Sequence, residues 1–232
     1  MTTRVKKSYI RTEKITYEIK TLEGDDMLLE YLKKNYKVNE PIFVADIDLH
    51  VTDTNLRQMF KVLCDSGQIC RYDTGIYYMK DASRLKGGIS LSASEVARYK
   101  YISRNNRVDG YYSGYTFANQ LGITAQVPFM IEIVSNRASA KCREVNVKNQ
   151  KIMLRKPRTE ITKENSSILQ LLDLLKDLEQ YADDNMSAAA ERIGAYVKEI
   201  GVTRTQVDRY IALFPDRIYK NIYETRLYDV FA

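Results

Sequence analysis

Apolar positions in the first eighty residues recur at two different periods, and the switch between them marks the elements. Over residues 25–37, Met27, Leu28, Tyr31, Leu32 and Tyr36 fall three or four apart, which predicts a helix with one buried face. Gly24 precedes that segment, and Asp25 and Asp26 suit the positive end of its dipole. Pro41 fits the first turn of a short second helix over PIFVADI. Thr52 is a good N-cap for DTNLRQMFKVLCDSG, where Leu56, Met59, Phe60, Leu63 and Cys64 form a stripe that Gly67 ends. The period then falls to two. QICRY and GIYYM flank Asp73-Thr74-Gly75, a turn sequence joining two strands in a hairpin. Helix, short helix, longer helix, hairpin is the order of a winged helix-turn-helix, in which the third helix enters the major groove.

Further along, Gly87-Gly88 interrupts the pattern and Ser94 opens a helix over about 94–105. Tyr115, Phe117, Ala118 and Leu121 predict a short helix closed by Gly122, and Pro128 halts the segment after it. FMIEIVSN reads as a strand, while CREVNVKN and QKIMLRK read as a hairpin around Asn149. From residue 164 the helical period returns, with Ile168, Leu171, Leu172, Leu175 and Leu178 on one face. Asp183-Asp184-Asn185 breaks that run, Ser187 opens a second helix to Ile200, and Gly201-Val202-Thr203 leads into a third that ends before Pro215. This last join has the form of a second helix-turn-helix exposing Arg204, Thr205, Gln206 and Arg209, but a helical bundle or dimer surface suits its acidity better. The expected fold class is therefore α+β. It comprises a winged helix-turn-helix with an amino-terminal arm (1–80), a basic α+β domain with a small antiparallel sheet (81–160) and a helical region (161–232).

Charge changes the picture more than composition does. With 232 residues and 44% hydrophobic side chains the chain can bury a core. Its net charge of +6 is unevenly spread: 13 basic and 12 acidic residues in 1–80, 14 and 6 in 81–160, 9 and 12 in 161–232. A basic middle suggests a polyanion partner, because neutralising phosphates releases counterions. The candidate basic surface is Arg98, Lys100, Arg104, Arg107, Arg137, Lys141, Arg143, Lys148 and Lys151, with Arg155, Lys156 and Arg158 following on the same strands and turns. The first eighty residues are almost neutral, so their DNA reading rests on side-chain type. Thr54, Asn55, Arg57, Gln58 and Lys61 on the third helix can bond base edges or phosphates, Asn and Gln suiting adenine and Arg guanine. Arg71 and Tyr72 stand beside the wing turn, and Arg4, Lys6, Lys7 and Arg11 form a basic arm.

Catalytic signatures are scarce. His50 is the single histidine, so every Ser-His-Asp or Cys-His arrangement would depend on it, and its place in the turn before the third helix suggests a surface or packing role. Cys64, Cys70 and Cys142 are odd in number and widely spaced, as expected of thiols in a reducing cytoplasm. Gly110, Ser113 and Gly114 match neither Walker A nor the dinucleotide fingerprint. The acidic pairs Asp46/Asp48 and Asp183/Asp184 could hold Mg²⁺, but cap or surface roles are simpler. Neither an enzyme nor a cofactor or metal is expected. The run Tyr99, Tyr101, Tyr111, Tyr112 and Tyr115 could stack bases of single-stranded RNA or DNA, or form half-buried core. No apolar run approaches the roughly 18 residues a membrane span needs. The start, MTTRVKKSYIRTEK, lacks a secretory apolar stretch, so a cytoplasmic location is expected.

Three pieces together carry a family resemblance: the hairpin ending in GIYYM, the segment SGYTFANQLGITAQVP, and the basic strands after it. The Ser-Gly before a short helix, the Leu-Gly-Ile-Thr turn and the exit Gln126-Val127-Pro128 are its most specific parts. Over roughly residues 25–160 the chain resembles the AbiEi-type antitoxins of bacterial type IV toxin–antitoxin systems. That resemblance implies an amino-terminal module that binds double-stranded DNA at its own promoter and represses it. It also implies a following domain that opposes a nucleotidyltransferase-like toxin without requiring a stable complex. Two other readings of the residues remain open: a winged-helix adaptor that holds a protein, and an RNA-binding protein using the basic middle.

Overall fold

The computed structural model describes residues 26–80, 91–182 and 185–231. The arm cations Arg4, Lys6, Lys7 and Arg11, the Gly24-Asp25 helix start, the Gly87-Gly88 break and the Asp183/Asp184 pair lie outside the described residues. The protein is a mixed α+β molecule built from small sheets and helices, and it divides into two compact units at Ser92/Ala93.

In the first unit, helix α1 (26–35) buries Leu28, Leu29 and Leu32. Strand β1 (Ile42–Phe43) and a 3-10 turn (Val44–Asp46) lead to α2 (Asp53–Asp65), followed by strands β2 (Cys70–Asp73) and β3 (Ile76–Tyr78). The Thr52 hydroxyl caps α2 by accepting from the Asn55 N–H at 3.3 Å. Gly67, at φ +76°, ends the helix in the left-handed region, where a side chain would be strained. Leu56, Met59, Phe60 and Leu63 point inward and join α1 in one core with Ile42 and Ile69. The three strands pair antiparallel in the order β1-β3-β2.

The segment after Pro41 corrects one expectation. Instead of one short helix, the segment is a strand followed by a single 3-10 turn (Val44–Asp46): Ile42 and Phe43 pair with Tyr77 and Ile76, and Val44 N–H donates to the Gly75 carbonyl at 3.0 Å. Proline suits the start of an edge strand as well as a first helical turn, and the open edge of β3 supplies partners that a lone turn of helix would lack.

The second unit begins with α3 (Ala93–Tyr101), which is shorter than the expected 94–105, because Ser103 already belongs to a strand. Strands β4 (Ser103–Arg104) and β5 (Arg107–Val108) form a tight hairpin, with Asn105 and Asn106 both at positive φ, as a type I′ turn requires. Next come β6 (Gly110–Tyr112), α4 (Gly114–Gln120), β7 (Ile131–Ser135), β8 (Cys142–Val147) and β9 (Gln150–Arg155). The sheet order is β6-β7-β9-β8. Its outer pairs are antiparallel, and the β8–β9 hairpin forms as expected, but β7 and β9 run parallel at its centre. The expected small antiparallel sheet is therefore mixed. Ile133 and Val134 on β7 and Ile152 and Leu154 on β9 are all buried, as strands inside a sheet should be.

Among the described residues, five α-helices and a 3-10 turn (Leu227–Asp229) follow in this unit: α5 (Ser166–Leu175), α6 (Leu178–Tyr181), α7 (Met186–Ile200), α8 (Arg204–Ile211) and α9 (Arg217–Glu224). The single long helix expected over 164–180 is divided at Lys176 and Asp177, whose side chains pair with each other at 2.8 Å. Leu169 and Leu174 are buried along with the expected Ile168, Leu171, Leu172 and Leu175, so α5 is apolar nearly all round and runs through the interior. Asn185 caps α7, Gly201 ends it at φ +61°, and Thr203 with Gln206 forms a capping box on α8. Val207 and Ile211 of α8 face the core, and the Gln206 side chain is spent on the cap, as a bundle helix requires.

One hydrophobic core joins Tyr111, Phe117 and Val134 to the leucines of α5 and to Ile193, Val197, Val207, Ile218 and Ile222. Parts of the two regions expected as separate, 81–160 and 161–232, thus share this core: Tyr111, Phe117, Ala118, Ile123 and Val134 come from the first, and the helices from α5 onward from the second. The reason is that the sheet-side apolar groups and α5 are each other's cover.

Candidate nucleic-acid interface

Helix α2 buries one face in the first unit and leaves Thr54, Asn55, Arg57, Gln58 and Lys61 exposed. The four buried positions fall at helical spacing, so the intervening polar positions are forced to the opposite side. Arg71 on β2 is also exposed, and its guanidinium reaches the Thr74 hydroxyl at 3.3 Å beside the hairpin turn. Asp73 Oδ1 accepts from the Thr74 N–H at 2.7 Å and Gly75 takes φ +70°, which fixes that turn.

Tyr72 departs from its predicted role. It is only 6% exposed, and burial holds its phenol above the ordinary tyrosine range. Alternation along β2 puts Arg71 and Asp73 outside and Tyr72 inside, so Tyr72 supports the hairpin and is not presented to a partner. His50 is exposed, in the turn before α2.

The nine basic residues of the middle segment do not act alike. Arg98 pairs with Glu95 at 2.8 Å, and Lys151 pairs with Glu144 at 3.1 Å. Lys100 lies 5.4 Å from the Tyr101 ring centre, and Arg104 is half-buried on β4. Arg107 and Arg137 both grip the buried carboxylate of Asp109, at 2.7 and 2.8 Å. Burial pushes that carboxyl up, but the hydrogen bonds and charges of Arg137 and Arg107 outweigh it and hold Asp109 below the usual carboxylate range. Lys141, Arg143 and Lys148 are exposed. Four of the nine thus carry a described carboxylate partner and have part of their charge already answered.

The tyrosine run is likewise mostly interior. Tyr101 and Tyr111 are each 6% exposed and Tyr112 is half-buried, so they do not form a free stacking platform. Desolvation raises the Tyr111 phenol strongly, and the Asp173 charge adds to it.

Segment charge singled out the basic middle but not the cavity in which four of its cations converge. Tyr111, Val134, Ser139, Lys141, Cys142, Arg155, Lys156, Pro157, Arg158 and Asp173 line an open cavity of about 780 Å³. Arg155 leaves the end of β9 and spends Nη2 on the Ser113 hydroxyl at 2.9 Å and Asp173 at 3.2 Å, while its buried Nε has no hydrogen-bond partner. Desolvation would lower the Arg155 pKa, but Asp173 and Glu132 outweigh it and keep the guanidinium charged. Asp173 also receives the buried Lys176 ammonium at 3.0 Å. Among the described residues no group of three or more His, Cys, Asp or Glu is placed to hold a metal. Asp46 ends the 3-10 turn of the first unit and Asp48 lies two residues beyond it, both outside any such group. No described helix is long and apolar enough to cross a membrane.

Residues 28–202 match a protein family, DUF6088, whose description is a family of unknown function. The chain belongs to the DUF6088 family. The DUF6088 match runs from α1 to the end of α7, so it includes the exposed face of α2 and every residue lining the cavity. No curated protein matches the chain.

Proposed function

We propose that this DUF6088 protein is a DNA-binding autorepressor and antitoxin of the AbiEi type. Its first unit is read as a winged helix-turn-helix that holds its own promoter, and its second unit opposes a nucleotidyltransferase-like toxin in a type IV toxin–antitoxin system. One observation carries the DNA reading. A capped 13-residue helix, followed by a short hairpin, turns Thr54, Asn55, Arg57, Gln58 and Lys61 to solvent on one face. Those side chains supply both kinds of contact that duplex recognition uses: amide and guanidinium groups for base edges, and cations for phosphates.

The test is fluorescence anisotropy with a duplex from the protein's own promoter at several salt concentrations. Arg57→Ala with Lys61→Ala should weaken binding by roughly tenfold or more and flatten the salt slope by about one for each phosphate that is no longer neutralised. Unchanged affinity and slope overturn the assignment of α2. For the antitoxin half, a nucleotidyltransferase-like reading frame directly downstream should be toxic alone and harmless when this chain is co-expressed.

A second reading, a winged-helix adaptor that docks on a protein, is favoured by charge. Residues 26–80 carry seven basic and eight acidic side chains, leaving no excess to attract a polyanion. That reading requires a stable protein complex and no duplex binding even at low salt.

A further inference from the structure

We propose that the cavity of the second unit binds a nucleoside phosphate, with its phosphates at the rim and its nucleoside toward the floor. The lining is polarised in a way that suits such a ligand. Lys141, Lys156 and Arg158 are exposed at the rim, whereas Tyr111, Val134 and Asp173 are buried at the base. Four cations and one carboxylate, Asp173, thus line the cavity, and Arg155 is also paired with Glu132 at 3.8 Å, so the unanswered charge lies at the rim. Neither Lys141 nor Lys156 forms an ion pair with any described residue, so like charges are gathered there without an internal counterion. A phosphate chain is a ligand that would answer such a group, because charge-assisted hydrogen bonds from lysine and arginine to phosphate oxygens are strong.

The walls are held in place independently of any ligand. The Lys156 N–H donates to the Lys141 carbonyl at 3.1 Å, which ties the two rim segments together. The Arg158 guanidinium donates to the Leu213 carbonyl at 3.1 Å and lies 5.1 Å from the Phe214 ring centre. Arg155 is anchored through Ser113 and Asp173 and keeps Nε unspent.

Size and floor chemistry favour a small molecule over a nucleic-acid strand. A volume of about 780 Å³ falls within the range of small-molecule sites and holds a nucleotide. A strand would seek an extended row of cations, and a buried carboxylate would repel its phosphates. The same carboxylate suits a nucleoside. Asp173 uses one oxygen for Arg155 and the other for Lys176, and each oxygen retains a lone pair for a ribose hydroxyl or an exocyclic amine. Val134 and Pro157 supply apolar contact.

This inference does not rest on the DNA reading of α2. The test is isothermal titration of the full chain with the four ribonucleoside triphosphates, with pyrophosphate and with a single-stranded oligonucleotide, at physiological salt. At least one triphosphate should bind saturably and more tightly than pyrophosphate. Lys141→Gln with Lys156→Gln, two exposed positions, should weaken it by about tenfold or more without lowering the melting temperature. The Arg57→Ala/Lys61→Ala protein should keep the parent's nucleotide affinity, so the two proposals fail separately. Absence of saturable binding by any triphosphate overturns the proposal, as does affinity unmoved by the rim substitutions. Pyrophosphate binding as tightly as every triphosphate, or the oligonucleotide binding in place of all of them, overturns it too.

Discussion

Asp109→Asn tests whether two of the basic residues serve the fold or remain available to a partner. Asp109 lies between β5 and β6, with its side chain 3% exposed, and accepts from Arg107 Nε at 2.7 Å and Arg137 Nε at 2.8 Å. Its backbone is equally committed, donating to the Ile102 carbonyl at 2.7 Å and accepting from the Asn136 N–H at 2.8 Å. The variant keeps the shape and one acceptor oxygen but loses the charge. The two contacts are unequal, since the Arg107 side chain is 68% exposed and Arg137 33%. A charged hydrogen bond in a shielded site contributes about 1.5–3 kcal/mol, and an exposed pair about 0.2–1 kcal/mol. With one acceptor retained, the expected loss is about 2 kcal/mol, which lowers the urea midpoint by about 1 M.

The pH dependence of that loss has a definite sign. A carboxyl whose folded pKa is depressed stabilises the fold above its unfolded value, near about 4, and the contribution disappears as pH falls through the folded value. Urea titrations of the full chain, followed by circular dichroism, should show a gap between parent and variant that is full at pH 7 and shrinks below about pH 4. A neutral-pH gap under about 0.5 kcal/mol, or one that widens in acid, refutes the assignment.

Two further expectations concern backbone devices. Gly114 opens α4 at φ +56°, and a Cβ there would collide with the Glu132 carboxylate that accepts from the Tyr115 N–H, so Gly114→Ala should cost about 1–3 kcal/mol and lower the melting temperature by several degrees. An unchanged melt would show that the strand-to-helix turn relaxes without penalty. Thr52→Ala removes the α2 cap and should cost about 1 kcal/mol, while Thr52→Ser keeps most of it; chemical denaturation of both variants distinguishes the cap from the methyl group.

Elements with strong local signals formed where the sequence placed them. The stripe Leu56, Met59, Phe60, Leu63 is the buried face of α2, bounded by Thr52 and Gly67 as their residue types require. Gly122 closes α4 in the left-handed region, and Gly201 does the same for α7. The β4–β5 hairpin was missed although its signal, Asn105-Asn106, is a positive-φ pair suited to a type I′ turn. The exposed residues of α2 followed from periodicity alone, whereas Tyr72 failed because proximity to a turn says nothing about which side of a two-residue period meets the core. Arg107 and Arg137 look like free cations in the sequence, since charge per segment cannot see that they share Asp109, two residues from Arg107 and 28 from Arg137.

By itself the sequence determined the helix boundaries marked by a cap or a glycine, such as Thr52, Gly67, Gly122 and Gly201, together with which faces are apolar and how charge is apportioned along the chain, but not the end of α3 or the break at Lys176. These are short-range properties, set by caps, glycines and side chains three or four residues apart. Tertiary structure alone decided that Ile42 joins a strand, that β7 and β9 pair in parallel, and that Tyr111, Phe117 and Val134 share one core with the carboxy-terminal helices. It also decided the cavity, where Lys141 follows β7, Arg155, Lys156 and Arg158 follow from β9, and Asp173 comes from α5. Pairing and convergence depend on contacts between distant residues, whose energies no local pattern records. The +6 net charge was visible from the start; the place where four of those cations meet one carboxylate was not.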